Sequence, residues 1–182
     1  MKNPKRSGQA LVEVIVAMSI FTTIFVSGMT LLSRSLNSNT HANERIVATY
    51  LSAEGIELVK NLIDANILSG AAWDCGISDG RFRMAYNFPA ATTPNCPGSV
   101  LEPVPPGSGL GRLYYGPSNR YSYDSGSPSF PTIYQRVITI QKIGTPAVEM
   151  SVRVNTWTSE TPTTADVVFL SKLEDHFFDW RP

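Results

Sequence analysis

Residues 9–32 read QALVEVIVAMSIFTTIFVSGMTLL. From Val14 to Leu32, nineteen residues carry no charge, and thirteen of them are Ala, Val, Ile, Leu, Met or Phe. A helix rises about 1.5 Å per residue, so ~20 such residues match a hydrocarbon core of ~30 Å. The stretch is therefore predicted to be a membrane-crossing helix. The other six, Ser19, Thr22, Thr23, Ser27, Gly28 and Thr30, are small residues of the kind that lets membrane helices pack closely. Lys2, Lys5 and Arg6 lie just before it. This basic flank predicts a cytoplasmic N-terminus, with everything after Ser33 outside. An ordinary secretory leader has a shorter apolar run followed by a small-residue cleavage site. Here the basic segment ends at Gly8, ahead of the run, so cleavage at that point keeps the helix in the product.

The rest of the composition narrows the choices. The chain has 182 residues, fifteen basic and fifteen acidic side chains, and 16% charged residues. That is well under the usual quarter, which excludes a disordered polyelectrolyte and a generally basic nucleic-acid binder. Without Lys2, Lys5 and Arg6, twelve basic side chains face fifteen acidic ones, a net of −3. Phosphate binding wants clustered cations, and Arg81 with Arg83 is only a local pair, so no direct nucleic-acid partner is expected.

Beyond Asn37-Ser38-Asn39 a helical pattern resumes. Val47, Leu51, Gly55, Leu58 and Leu62 recur at steps of three and four, with Val59 on the flank, predicting an amphipathic helix that ends between Asp64 and Gly70. Gly55 falls within the stripe, where it either admits a sheet closely or is a tolerated weak point. Ser27-Gly28 and Asn37-Ser38-Asn39 are candidate bends. Arg81 to Phe88 alternates, with Phe82, Met84, Tyr86 and Phe88 on one face, and reads as a strand. Residues 97–131 hold thirteen of the 26 Gly and Pro residues, together with Tyr114, Tyr115, Tyr121 and Tyr123. They are predicted to form a long irregular loop with one small hairpin, its tyrosines either packing on the sheet or presenting a contact surface. Gln135 to Ile143, Val148 to Asn155 and Val167 to Leu170 are predicted strands. The turns Gly144-Thr145-Pro146 and Ser159 to Thr164 separate them. Such a meander buries one face, and the 47–62 stripe is its natural cover. The expected fold class is α+β, one long N-terminal helix packed on a C-terminal antiparallel sheet.

Glu13, the lone charge between Ala10 and Leu32, costs roughly 2.5–3.5 kcal/mol if held ionised at mid-membrane. It is either an interfacial acid favoured by the helix N-terminus or an acid awaiting a cation. Lys5-Arg6-Ser7-Gly8 followed by Gln9-Ala10-Leu11-Val12-Glu13 and an apolar helix resembles the type IV prepilin signal. The resemblance implies cleavage between Gly8 and Gln9 by a membrane prepilin peptidase, N-methylation of Gln9, and an assembly role for Glu13 as fifth residue of the product. The family usually begins with Phe or Met, and Gln9 departs from that. Cleavage creates an α-amine that a carboxylate four residues on can pair with in a neighbouring, shifted subunit. Either charge alone is costly in an apolar fibre, so the pair sets the register. Residues 48–60 and the ending Phe177-Phe178-Asp179-Trp180 are similar to PilV-type minor pilins and to type II secretion minor pseudopilins. The start also resembles short tight-adherence pseudopilins.

The resemblance implies a pilin-like division into leader 1–8, membrane and assembly helix 9–35, outer amphipathic half 36–66, and extracytoplasmic β domain 67–182. It implies a structural subunit, probed first as a single-pass inner-membrane precursor and then in an extracellular pilus or a periplasm-spanning filament. Its partners would be other pilin or pseudopilin subunits, the peptidase, the inner-membrane assembly platform and the membrane. The competing expectation is a signal-anchored extracellular binding or adhesion domain that does not polymerise. Cys75 and Cys96 would lie outside the membrane, where they form a disulfide or stay as two thiols. A bridge would close a loop worth about 3 kcal/mol. Asp74, Asp79 and Gly80 read as a solvated acidic loop, since calcium needs six or more oxygens. No nucleophile motif, phosphate loop or zinc signature is present, so no catalytic residue, metal or cofactor is expected.

Overall fold

A computed structural model describes residues 5–87, 101–104, 111–126, 128–158 and 168–179. One helix, α1, covers Lys5–Leu68. Seven strands follow: β1 Gly80–Arg83, β2 Glu102–Pro103, β3 Arg112–Tyr115, β4 Tyr121–Ser122, β5 Phe130–Ile143, β6 Glu149–Thr158 and β7 Val168–Phe178. The chain divides into two compact units, Met1–Asn43 and Glu44–Pro182. The expected α+β class, a long apolar N-terminal helix and an antiparallel sheet packed by that helix, is what the chain adopts.

In the first unit α1 is helical through Ser27-Gly28 and Asn37-Ser38-Asn39 without a break. The helix begins at Lys5, four residues ahead of the predicted start.

In the second unit β5 is the organising strand. On one side it pairs with β6 over ten residues, from Tyr134↔Thr158 to Ile143↔Glu149, and β6 pairs in turn with β7. On the other side β3 lies beside its first half and β1 beside its second, with β4 and β2 outside them. All pairings are antiparallel. Because strand side chains alternate, Tyr134, Arg136, Ile138 and Ile140 share one face, and Met150, Val152, Val154 and Thr156 continue it on β6. All eight are buried. The helix covers this face. Val59, Leu62 and Ile63 pack with Phe82, Ile138, Ile140, Met150, Val152 and Val154, while Ala48 and Leu51 pack with Leu113, Tyr123 and Tyr134.

The buried stripe of the helix is broader than the prediction and shifted to one side of it. It keeps Leu51, Gly55, Val59 and Leu62 of the predicted stripe and adds Ala48, Ser52, Ile63 and Asn66, with Val47 and Leu58 only partly buried. Counting large apolar residues misses part of it because two inward positions are polar with dedicated partners. The Ser52 and Thr156 hydroxyls lie 2.7 Å apart. The Asn66 Nδ2 donates to the carbonyls of Trp73, at 3.1 Å, and Cys75, at 2.8 Å. Gly55 is the close-approach site: a Cβ there would meet Val154 Cγ1 at 2.9 Å. The helix ends inside the predicted window. Gly70, at φ 77°, donates to Ile67 O, and Ala71 donates to Asn66 O, the pair of bonds that lets a glycine close a helix.

Three strand predictions change. The strand at 81–88 stops at Arg83; Phe82 and Met84 are buried, but so is Ala85, and Tyr86 is 39% exposed. The Met84 carbonyl is taken by the Arg136 guanidinium at 2.9 Å, which withdraws it from any ladder; Phe88 lies outside the described residues. Within 97–131, β2, β3 and β4 replace part of the irregular loop, and β3 with β4 is the expected small hairpin. Val148 is exposed rather than inward-facing, because the turn after β5 closes through Val148 N–H to Ile143 O at 3.0 Å. The predicted turn 159–164 lies outside the described residues, and β7 runs on to Phe178.

Candidate functional site

The residues singled out at the N-terminus sit on the first unit's helix. Gly8, Gln9 and Glu13 are exposed there, as are Leu11, Val12, Val14, Ile15 and every large apolar residue on to Leu36. A Cβ added at Gly8 or Gly28 meets nothing within 4 Å. A helix apolar all round is stable in a core or a membrane, and this one is long and apolar enough to cross a bilayer, with none of its apolar window buried by the chain.

Its hydroxyls suit that setting. Ser19 donates to Ile15 O, Thr22 to Met18 O, Thr23 to Ser19 O, Ser27 to Thr23 O and Thr30 to Val26 O, at 2.7–2.9 Å. These bonds satisfy each hydroxyl inside the helix, so lipid around them strands no donor. The carboxylate of Glu13 has no hydrogen-bond or ion-pair partner among the described residues. In this segment the small polar residues are self-sufficient and the acid is not.

The second unit contains a polar centre that pattern reading missed. Arg136 on β5 is fully buried. Its Nη1 donates to Leu51 O at 3.0 Å and lies 3.1 Å from Glu54 Oε2. Nη2 donates to Met84 O at 2.9 Å, and Nε to the Tyr123 hydroxyl at 3.3 Å. That hydroxyl donates in turn to Arg136 O at 3.0 Å. Burial alone would favour loss of the guanidinium proton; Tyr123 and Glu54 outweigh it and raise its pKa further. Burial likewise pushes the Tyr123 phenol up, against the pull of Arg136. The centre fastens helix, post-β1 segment and sheet together. The signal was present in the sequence: Arg136 shares the inward parity of Tyr134, Ile138 and Ile140, so a charge there had to be buried and paired.

The acidic loop is not simply solvated. Asp74 Oδ2 pairs with Lys142 Nζ at 2.8 Å, and Asp79 Oδ1 accepts from Lys142 N–H at 2.6 Å, tying the loop to β5. No cluster of three or more metal-ligating side chains occurs among the described residues. Cys75 is disulfide-bonded rather than a free thiol, and Cys96 lies outside the described residues. On the outer sheet face Glu174 receives two Arg153 bonds and one from Ser151, all 3.0 Å. Those donors lower its carboxyl pKa from 4.5 to about 2. Compared with known proteins, the chain matches no family model, no curated protein and no solved structure.

Proposed function

We propose that the chain is a structural subunit of a type IV pilus or a related filament, a minor pilin or pseudopilin. Assembly runs through residues 9–35, and the sheet-bearing unit is displayed outside the membrane. The observation that carries this reading is one exposed, internally satisfied apolar helix with a single unpartnered acid, Glu13, five residues after Gly8. Lipid meets the needs of the apolar side chains and of the self-bonded hydroxyls in that helix. Only a cation from outside the described chain meets that of Glu13. The α-amine of a second copy, freed by cleavage between Gly8 and Gln9 and N-methylated, is such a cation. The precursor is then an inner-membrane single-pass protein that reaches the filament through an assembly platform. Cys75 is disulfide-bonded and Cys96 is the only other cysteine in the sequence. This supports a Cys75–Cys96 bridge and an oxidising compartment for the second unit.

N-terminal sequencing of the native membrane-extracted protein tests the reading. Gln9 is expected as first residue. A functional product that retains Met1 sinks it and leaves the non-polymerising anchored domain. Gly8→Leu should block processing, and Glu13→Ala should cut incorporation into filaments while leaving membrane insertion intact. Unchanged incorporation would remove the pairing from the account.

A further inference from the structure

The helix-facing side of the sheet is covered at one end and open at the other. At the covered end Trp73 and Ile77 are buried with Ile63, Ile140 and Met150. At the other end the chain enters the second unit at Glu44, and Val47, Ala48 and Leu51 are the first helix residues to pack. There Tyr121 on β4, Tyr115 on β3 and Phe130 on β5 pair in one cross-strand row. The Tyr115 and Tyr121 ring centroids are 5.5 Å apart and those of Tyr121 and Tyr134 6.3 Å, both edge to face. The row therefore continues the face of the buried Tyr134. Tyr121 packs with the group around Val47, whereas Phe130 is 70% and Tyr115 38% exposed.

The β3–β4 turn adds a cation to this end. Arg120, next to Tyr121, lies over the Tyr86 ring at 4.9 Å, and the Tyr86 hydroxyl is 2.7 Å from Ser118 Oγ. Arg120 is exposed and forms no ion pair among the described residues.

We propose that this aromatic row docks into the headgroup layer of the membrane that α1 crosses. The inference rests on reading the first half of α1 as membrane-spanning. Two observations select lipid as the occupant. One is the chemistry of the row. An apolar ring with a polar tip suits tyrosine to the bilayer interface, and Phe130 gives the row an apolar end to insert. Arg120 beside it has the planar fork that fits a phosphate bidentately. The other is the tether. The helix is unbroken from the apolar run to Glu44. Eight residues, about 12 Å of helix, lie between Leu36, the last large apolar residue of the first unit, and Glu44. Phe130 is four residues beyond Tyr134, about 13 Å along β5. A surface on so short a leash meets lipid at an effective concentration that a freely diffusing partner does not match.

Full-length protein with p-benzoylphenylalanine in place of Phe21, Phe130 or Phe178 is reconstituted into phosphatidylcholine nanodiscs, irradiated and weighed by intact mass spectrometry. Phe21 lies in the apolar run, and Phe178 is an exposed aromatic at the opposite end of the sheet, in the row of Ile143 and Glu149. Lipid adducts are expected at positions 21 and 130, with the yield at 130 at least tenfold above that at 178. Arg120→Gln, a change at an exposed turn, should lower the yield at 130 at least twofold. Adducts at 21 with none above the 178 level at 130 would overturn the docking and leave the membrane reading standing. Absence of adducts at 21 would overturn both. Adducts from 130 to a second copy in place of lipid, or a yield unchanged by Arg120→Gln, would also overturn the proposal.

Discussion

The two halves of α1 are both helical and solve opposite problems. From Gly8 to Leu36 the helix shows its large apolar side chains on every side and buries none of them. From Glu44 onward it buries a narrow stripe that includes Ser52, Gly55 and Asn66. The apolar density of the first half selects a solvent, because no single direction has to be matched. The second half faces a particular surface, and the match is made by what is small or specifically bonded: a glycine under Val154, a hydroxyl against Thr156, an amide reaching two carbonyls. Hydrophobicity finds the helix; close packing decides which residues touch.

Substitutions test that contrast, beginning with the largest effect. Arg136→Ala leaves the Leu51 and Met84 carbonyls facing a void and takes the cation from the partly exposed Glu54; it should cost about 3 kcal/mol in the second unit, measured by urea unfolding of the detergent-solubilised chain. Gly55→Val drives two branches into Val154 and should cost about 1–3 kcal/mol, with Val154→Ala restoring part of it. The matching change in the other half, Gly28→Ala, meets open space and should not destabilise the isolated chain. Any loss it causes in filament incorporation would reveal a neighbouring copy against that face. Ser52→Ala strands a buried Thr156 hydroxyl and should cost about 1–3 kcal/mol, whereas Ser27→Ala, in the self-satisfied segment, should leave thermal stability unchanged. Glu57→Gln breaks an exposed pair at 3.9 Å with Lys60 and should shift stability by less than about 0.5 kcal/mol.

The sheet's outer face adds a pH-dependent term. The carboxyl of Glu174 is depressed in the folded chain from 4.5 to about 2, first by its Arg153 bonds and then by Ser151. A depressed acid stabilises the fold above its unfolded pKa and loses that contribution as pH falls through the folded value. The Arg153–Glu174 pair should therefore survive at pH 3.5 and release near pH 2, read from the Glu174 side-chain carbon shift in a pH titration. In Arg153→Gln the midpoint should rise toward 4.5.

Much of this architecture was legible from periodicity. The apolar run, the resumed stripe ending before Gly70, the β5–β6–β7 meander and the close approach at Gly55 each have a sequence period or a punctuating residue behind them. What escaped was set by partners distant in the chain. Ser52 turns inward because Thr156 waits 104 residues away. The 81–88 strand ends early because Arg136 claims Met84 O from across the sheet. Short strands such as β2 and β4 are too brief to show a period against a Gly- and Pro-rich background. At the N-terminus the reverse holds: Gly8, Gln9 and Glu13 were visible in the sequence, and the role we propose for them requires another molecule.

The four contacts of the Arg136 guanidinium also govern how the second unit comes apart. One guanidinium holds Leu51 and Glu54 of the helix, Met84 after β1 and Tyr123 beyond β4. Peeling the helix away by a turn strips that cation of its acid and a carbonyl at once. A tug along α1 therefore meets either full resistance or wholesale release, so the joint behaves as a rivet rather than a zip.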